Sequence, residues 1–306
     1  MKKDILFGIC ADVHQGWCGA DYSAALKKFI TEANEREADF IIQLGDFANP
    51  GKLGELALAE WKKFNGPAYH VLGNHDAEGC GKEKAMQFLA MDKKYYSFDS
   101  GKYHFIVLDT NYIKIGKEYI DYYSERHDPA FFSCHISSEQ LEWLRKDIDS
   151  TDKRCFVFTH AALAVGDWTV QNLHELQAIF WAANEKAGYN KVTMCFSGHD
   201  HADAYLCQGG VHYVLVNSMN FKFVGDFCFN AANRAELEAD YGKVWHSIPY
   251  RDPLYAFVRL KENGLIQIIG KQSEYLGHSP KEFNWEYYAS PEIAYKEVWM
   301  SGYRKI

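Results

Sequence analysis

The chain of 306 residues is 47% hydrophobic and 24% charged with a formal net charge of −8, a balance that can bury a substantial core and disfavours gripping a polyanion through a basic surface. No stretch approaches the roughly 18 consecutive apolar residues of a membrane span. The apolar run after Lys3 is cut off by Asp12, too short for a signal-peptide core of about 7–15 residues, so a cytoplasmic location is expected.

Residues 4–12 form a short, nearly continuous apolar run with the character of a buried strand, and 21–37 repeat apolar residues at Leu26, Phe29, Ile30 and Ala33, the spacing of a helix. A strand is expected at 39–46, a helix at 53–64, a strand at 68–72, a helix at 82–91 and strands around 95–98 and 103–109. A helix at 138–149, a strand at 155–159, a helix at 172–186 and a strand at 191–197 continue the alternation. Segments 203–207, 211–216, 254–260 and 265–270 look like strands with no helix between them. Helix-linked strands followed by hairpin-like strands predict an α/β domain, a mixed sheet system with helices outside, over 1–270. The aperiodic stretches 111–136 and 218–252 are expected to be loops or small excursions near a site. The aromatic-rich tail 271–306 is expected to fold back on the same domain. The eight cysteines include no C-x-x-C pair, and Cys10, Cys155, Cys195 and Cys207 are expected to be buried free thiols.

Polar residues cluster where the better-defined strands end. The first ends in Asp12 and His14, the second in Asp46, the third in Asn74, His75 and Asp76; later strands end in His160 and in His199 and His201. Each group alone is ordinary turn or capping chemistry, but in open α/β sheets ligands bind outside the carboxyl ends of the strands, and here five strands deliver imidazole, carboxylate and amide. Asp-x-His and His-x-His set two donors on the same side of an extended backbone. Imidazole, carboxylate and one amide oxygen, without cysteine, suit manganese, iron or zinc better than a closed thiolate site. Asp12, His14, Asp46, Asn74, His160, His199 and His201 are more donors than one ion needs. Two ions fit them, with Asp46 as the natural bridge because each of its oxygens can serve a different metal.

In order, D12-V-H14, G45-D46, G73-N74-H75-D76, H160 and G198-H199-D200-H201 resemble the blocks of the calcineurin-like metallophosphoesterase superfamily. The chain departs from many relatives in "HAAL" after His160, where they carry a proline two residues on. The resemblance implies a four-layer α/β/β/α fold, a β-sandwich of two mixed sheets flanked by helices. It implies one metal held by Asp12, His14, Asp46 and His201, and another by Asp46, Asn74, His160 and His199. A hydroxide bridging the metals would then cleave a phosphoester, phosphodiester or pyrophosphate of a small molecule, with a nucleotide among the candidate substrates. His75 would protonate the leaving oxygen, Asp76 would orient it, and Gly73 would let the backbone turn sharply into the site. The alternatives are a nuclease of the same superfamily, against which the acidic balance counts, and a phosphoesterase-fold scaffold without catalysis. No stable nucleic-acid partner is expected. Candidates for substrate contact are Asn111, His135, Trp168, Asn217 and His278, each of which has a purely structural reading as well.

Overall fold

The computed structural model describes residues 4–122, 134–224, 247–276, 279–283 and 290–300. In chain order the elements begin β1 (Ile5–Cys10), α1 (Ser23–Glu35), β2 (Phe40–Gln43), α2 (Lys52–Trp61), β3 (Ala68–His70) and α3 (Lys82–Phe88). There follow β4 (Tyr96–Ser100), β5 (Tyr103–Val107), the hairpin β6 (Tyr112–Ile115) and β7 (Glu118–Asp121), α4 (Ser138–Asp149), β8 (Arg154–Thr159), α5 (Leu173–Ala187) and β9 (Val192–Ser197). The last are β10 (Ala204–Gln208), β11 (Val211–Leu215), the paired β12 (Phe221–Phe223) and β13 (Ser247–Pro249), then β14 (Ala256–Leu260), β15 (Leu265–Ile269) and β16 (Lys296–Trp299).

Two six-stranded sheets result, ordered β16-β15-β14-β1-β2-β3 and β10-β11-β9-β8-β5-β4. Both are mixed: β1, β2 and β3 run parallel, as do β5, β8, β9 and β11, while the remaining pairs are antiparallel. The period of two decides the layering. Ile5, Phe7 and Ile9 of β1 join Phe40, Phe105, Phe158 and Phe196 in a core between the sheets. Leu6 and Cys10 turn the other way, onto the apolar stripe of α1 formed by Leu26, Phe29, Ile30 and Ala33. Gly8 lies beneath that helix, where a Cβ would come 2.9 Å from the Phe29 ring. On the far side, Leu141, Leu144 and Ile148 of α4 and Leu176 and Phe180 of α5 cover the second sheet. Helices thus flank a two-sheet sandwich, the expected four layers.

The differences from expectation lie in short or edge elements. The stretch 111–136 contains the hairpin β6–β7, and its residues 123–133 lie outside the described residues. In 218–252, β12 pairs with β13, and 225–246 lie outside the described residues. From the tail, β16 adds an edge strand to the first sheet through β15. Cys207 is exposed rather than buried, because β10 is the edge strand of its sheet, whereas Cys10, Cys155 and Cys195 are buried free thiols. No helix among the described residues is long and apolar enough to cross a membrane.

One charge cluster around the buried His104 ties β4, β5 and α4 together. His104 Nδ1 lies 2.7 Å from Asp99 and Nε2 lies 2.8 Å from Asp147. Burial works against the charged ring, but the two carboxylates prevail and raise the His104 pKa. Since the folded value lies above the unfolded one, this stabilisation is complete below about pH 6.5 and is lost as pH rises through the folded value. The unfolding free energy of the chain, read from urea titrations, should therefore fall over that window relative to a His104→Asn variant, by on the order of 1 kcal/mol; parallel pH profiles would refute it.

Candidate metal centre

The loops that leave β1, β2 and β3 in one sheet and β8 and β9 in the other meet where the two sheets come together. The parallel pairing of β1 with β2 continues into these loops through Asp12 N–H to Gly45 O at 3.1 Å and His14 N–H to Asp46 O at 2.8 Å. Asp12 stitches the sheets together by accepting the His199 N–H at 2.9 Å. Glycine is required at Gly73 for closeness rather than for a sharp turn: its φ is not positive, and a Cβ there would lie 2.1 Å from the Asp46 nitrogen.

The seven expected ligands converge. Asp12, His14 and His201 form one group, and Asp46, His160 and His199 another, with ligand atoms within 4.8 Å of one another in each. His14 Nε2 is 3.1 Å from His201 Nε2, and His160 Nε2 is 3.0 Å from His199 Nδ1 and 2.9 Å from Asn74 Oδ1. Asp46 stands between them, Oδ2 lying 3.7 Å from His14 Nε2 and 3.2 Å from His160 Nε2. Its Oδ1 is engaged elsewhere, accepting the His75 N–H at 2.7 Å. The geometry therefore turns a single oxygen toward both groups, not one oxygen toward each.

Asp12 and His14 fall in one group, as their spacing suggested, whereas His199 and His201 fall in different groups. Asp12, His14, His199 and His201 are not extended: their φ values are 52, 50, 76 and 48°, and Asp46 has 53°. These five are among only nine non-glycine residues with positive φ in the described chain. Left-handed backbone is strained for such residues, and its concentration here is typical of functional sites.

Protonation of the ligands follows from their outer partners. His201 Nδ1–H donates to Phe221 O at 2.9 Å and His160 Nδ1–H to Leu44 O at 2.8 Å; a carbonyl can only accept, so each ring's Nε2 lone pair faces inward when the ring is neutral. Burial holds the His14 and His199 pKa values well below normal, so these rings are neutral. Burial opposes the charge of Asp46, but His160, His75 and His14 outweigh it and keep the carboxyl well below the usual range. Burial also opposes a charged His160, yet Asp46 and Asp12 push it up to about 10. The centre thus draws a proton to compensate its buried carboxylates, the work a cation would take over. Around His160 Nε2, a carboxylate oxygen and an amide oxygen converge with a second imidazole. This donor set fits borderline divalent ions such as manganese, iron or zinc.

His75 and Asp76 occupy a single 3-10 turn, His75–Ala77. Asp76 does not hold the His75 ring. Its buried carboxylate accepts the N–H groups of Asp46, Phe47, Ala48 and Gly73 at 2.7–3.0 Å and so fixes the loop carrying Asp46. Glu78 holds the ring instead, at 2.5 Å from His75 Nδ1. Burial lowers the His75 pKa, but Asp46 and Glu78 together raise it overall. Asn49 clamps the turn by donating to His75 O, Asp76 O and Glu78 O. Glu78 was findable, because residues three apart face each other in a 3-10 turn.

Other neighbours carried weaker signals. The Trp17 ring lies 5.1 Å from His75 and 5.7 Å from His14. Phe223 lies 4.6 Å from His201, brought from a separate short strand. A cavity of about 460 Å3 opens beside these groups, lined by His14, Trp17, Asn49, Lys52, His75 and Glu78 among others.

The expected substrate contacts fare differently. Asn111 is buried and donates to Leu72 O at 2.7 Å and Asp109 at 3.1 Å, bracing the strand end before Asn74. Asn217 donates to Ser290 O and Glu292 O and accepts the Tyr250 hydroxyl. Both act as structural ties rather than open contacts. His135 bridges through its backbone to Asn111 and Tyr112, beside the β6–β7 hairpin. Trp168 is 54% exposed, and the Asp200 carboxylate accepts its backbone N–H. His278 lies outside the described residues.

Residues 5–203 match the family described as calcineurin-like phosphoesterase. A manganese-dependent ADP-ribose/CDP-alcohol diphosphatase of Arabidopsis thaliana is 26% identical over 219 residues, covering 57% of this chain and 68% of that protein. A like-named protein of Oryza sativa subsp. japonica is 26% identical over 197 residues, 52% of this chain; the chain spans 60% of its length. Among solved structures, a dimetal phosphatase from Danio rerio aligns with a TM-score of 0.59 at 13% identity, covering 90% of this chain and 99% of that one. GAP50, the anchor in the inner membrane complex of Plasmodium, aligns at 0.51 and 14% identity over 96% of this chain and 90% of its own. At such identities the structural likeness speaks to the fold alone.

Proposed function

This chain belongs to the calcineurin-like phosphoesterase family and is a metal-dependent phosphoesterase, and from that premise we propose that it hydrolyses the pyrophosphate link of a small nucleoside-diphosphate conjugate at a dinuclear centre. The observation that carries this reading is the division of the ligands into two groups with one oxygen of Asp46 between them. Asp12, His14, Asp46 and His201 would hold one ion, and Asp46, Asn74, His160 and His199 the other. When bound, two such cations bind phosphate oxygens, activate water and stabilise charge on both sides of an in-line displacement.

The chain's own residues would do the rest. His75, anchored through Nδ1 by Glu78, keeps Nε2 for the leaving oxygen and delivers its proton there. The leaving nucleotide would lie in the cavity walled by Trp17, with Lys52 supplying positive charge. The diphosphate preference rests on the manganese-dependent ADP-ribose/CDP-alcohol diphosphatases that the chain resembles. Assayed with manganese on ADP-ribose, CDP-choline and p-nitrophenyl phosphate, the chain should release nucleoside monophosphate from the conjugates with the highest kcat/KM. Faster turnover of the aryl phosphate, with the conjugates untouched, would contradict this specificity.

Glu78 acts on the reaction only through His75. Glu78→Ala should lower kcat about tenfold with little change in KM, the scale of one hydrogen bond to a charged group, and Glu78→Gln should recover part of it by accepting Nδ1–H. Equal loss in both variants, or a loss confined to KM, would remove Glu78 from this positioning role.

A further inference from the structure

On another face of the first sheet, between α2, β3, the end of α3 and β4, lies a cavity of about 610 Å3, within the range of about 300–1,000 Å3 of small-molecule sites. Its walls are aromatic, with Trp61, Phe64, Tyr69, Phe88 and Tyr96 contributing. Lys62 and Lys93 line its exposed rim, partly offset by Asp92.

His70 also lines this cavity and is only 7% exposed. The tautomer of its ring is fixed by Gln43. Gln43 Oε1 accepts the Gly45 N–H at 2.5 Å, so the Gln43 amide nitrogen is the group 3.0 Å from His70 Nδ1 and 3.0 Å from Val71 O. An amide nitrogen can only donate, so His70 Nδ1 accepts and the ring hydrogen resides on Nε2. Burial lowers the His70 pKa to about 3, which keeps the ring neutral. Among the described residues this Nε2–H has no hydrogen-bond acceptor. Trp61, 2% exposed in the same wall, likewise has an indole N–H without a partner among the described residues. The His70 Nε2–H, on a side chain lining the cavity and only 7% exposed, is thus left for a ligand carrying an acceptor.

We propose that this cavity is a second binding site, for a flat aromatic or heteroaromatic anion whose rings lie between the aromatic walls, whose acceptor takes the His70 Nε2–H and whose acidic group meets Lys62 and Lys93. The site stands apart from the metal centre. Gln43 separates the two, holding His70 on one side and the Gly45 amide on the other.

The test is titration of the manganese-loaded chain with 1-anilinonaphthalene-8-sulfonate, followed by displacement with indole-3-carboxylate. Saturable binding at one site per chain is expected, abolished by Leu58→Trp, which fills the cavity. The double variant Lys62→Glu/Lys93→Glu should weaken it about tenfold or more, roughly 1.4 kcal/mol per tenfold. Trp299→Ala, which removes an exposed aromatic elsewhere, should leave binding unchanged. Should Leu58→Trp fail to fold, the charge reversals, both on exposed side chains, still decide the matter. Binding indifferent to the cavity and lysine variants, or lost in Trp299→Ala, would overturn the proposal.

Discussion

Asp46→Ala should strip both metal ions from the chain in one substitution and lower manganese-stimulated hydrolysis of bis-p-nitrophenyl phosphate by on the order of 10^3-fold or more, because metal stabilisation of the transition state is worth several kcal/mol and each 1.36 kcal/mol is tenfold. The reason is positional. Asp46 Oδ2 lies 3.7 Å from His14 of one group and 3.2 Å from His160 of the other, nearer to both groups together than Asp12 Oδ1, which is 3.6 Å from His201 and 4.0 Å from His160. His199→Ala, by contrast, touches one group and should leave one ion bound. Metal analysis of the two purified variants, with circular dichroism to verify folding, separates the outcomes. An Asp46→Ala chain that retains two ions would remove the bridge from the account.

His75→Ala should behave in the opposite way, leaving two metals bound while slowing turnover by roughly 10^2–10^4-fold on substrates with poor leaving groups, the usual worth of a general acid. On p-nitrophenyl esters, whose leaving group needs little protonation, the loss should shrink markedly. The hydrogen bond from His75 to Asp46 is made by its backbone N–H, which alanine keeps, so the Asp46 position survives the substitution. The same loss on good and poor leaving groups would show that His75 acts by some means other than proton donation.

The legible and illegible parts of the chain differ in physical kind. The α1 stripe was readable because burial imposes a period on sequence, and β1 as an unbroken apolar run because both of its faces are buried. The candidate ligands stood out because each stands at the end of an apolar run. Their convergence, however, depends on left-handed backbone at Asp12, His14, Asp46, His199 and His201, which Asp and His adopt more often than other non-glycine residues but which their presence does not specify. Glu78, given no role by the sequence reading, takes the place beside the His75 ring expected of Asp76. Adjacency to His75 suggested Asp76, whereas the 3-10 turn places Glu78 at the ring and leaves Asp76 to the backbone amides of the Asp46 loop. Phe221 and Phe223 come to His201 from a three-residue strand, too short for any periodic signal. Asn111 and Asn217 show the converse, since polar residues after strands are as often ties for backbone carbonyls as contacts for substrate.

The central claim is that the two residue groups flanking Asp46 would hold a pair of neighbouring metal ions, and electron paramagnetic resonance of the manganese-loaded chain tests it most directly. A multiline spectrum of two exchange-coupled manganese ions, replaced in His199→Ala by the six-line signal of an isolated ion, is the predicted result. A six-line signal alone in the unsubstituted chain at full manganese occupancy would contradict it.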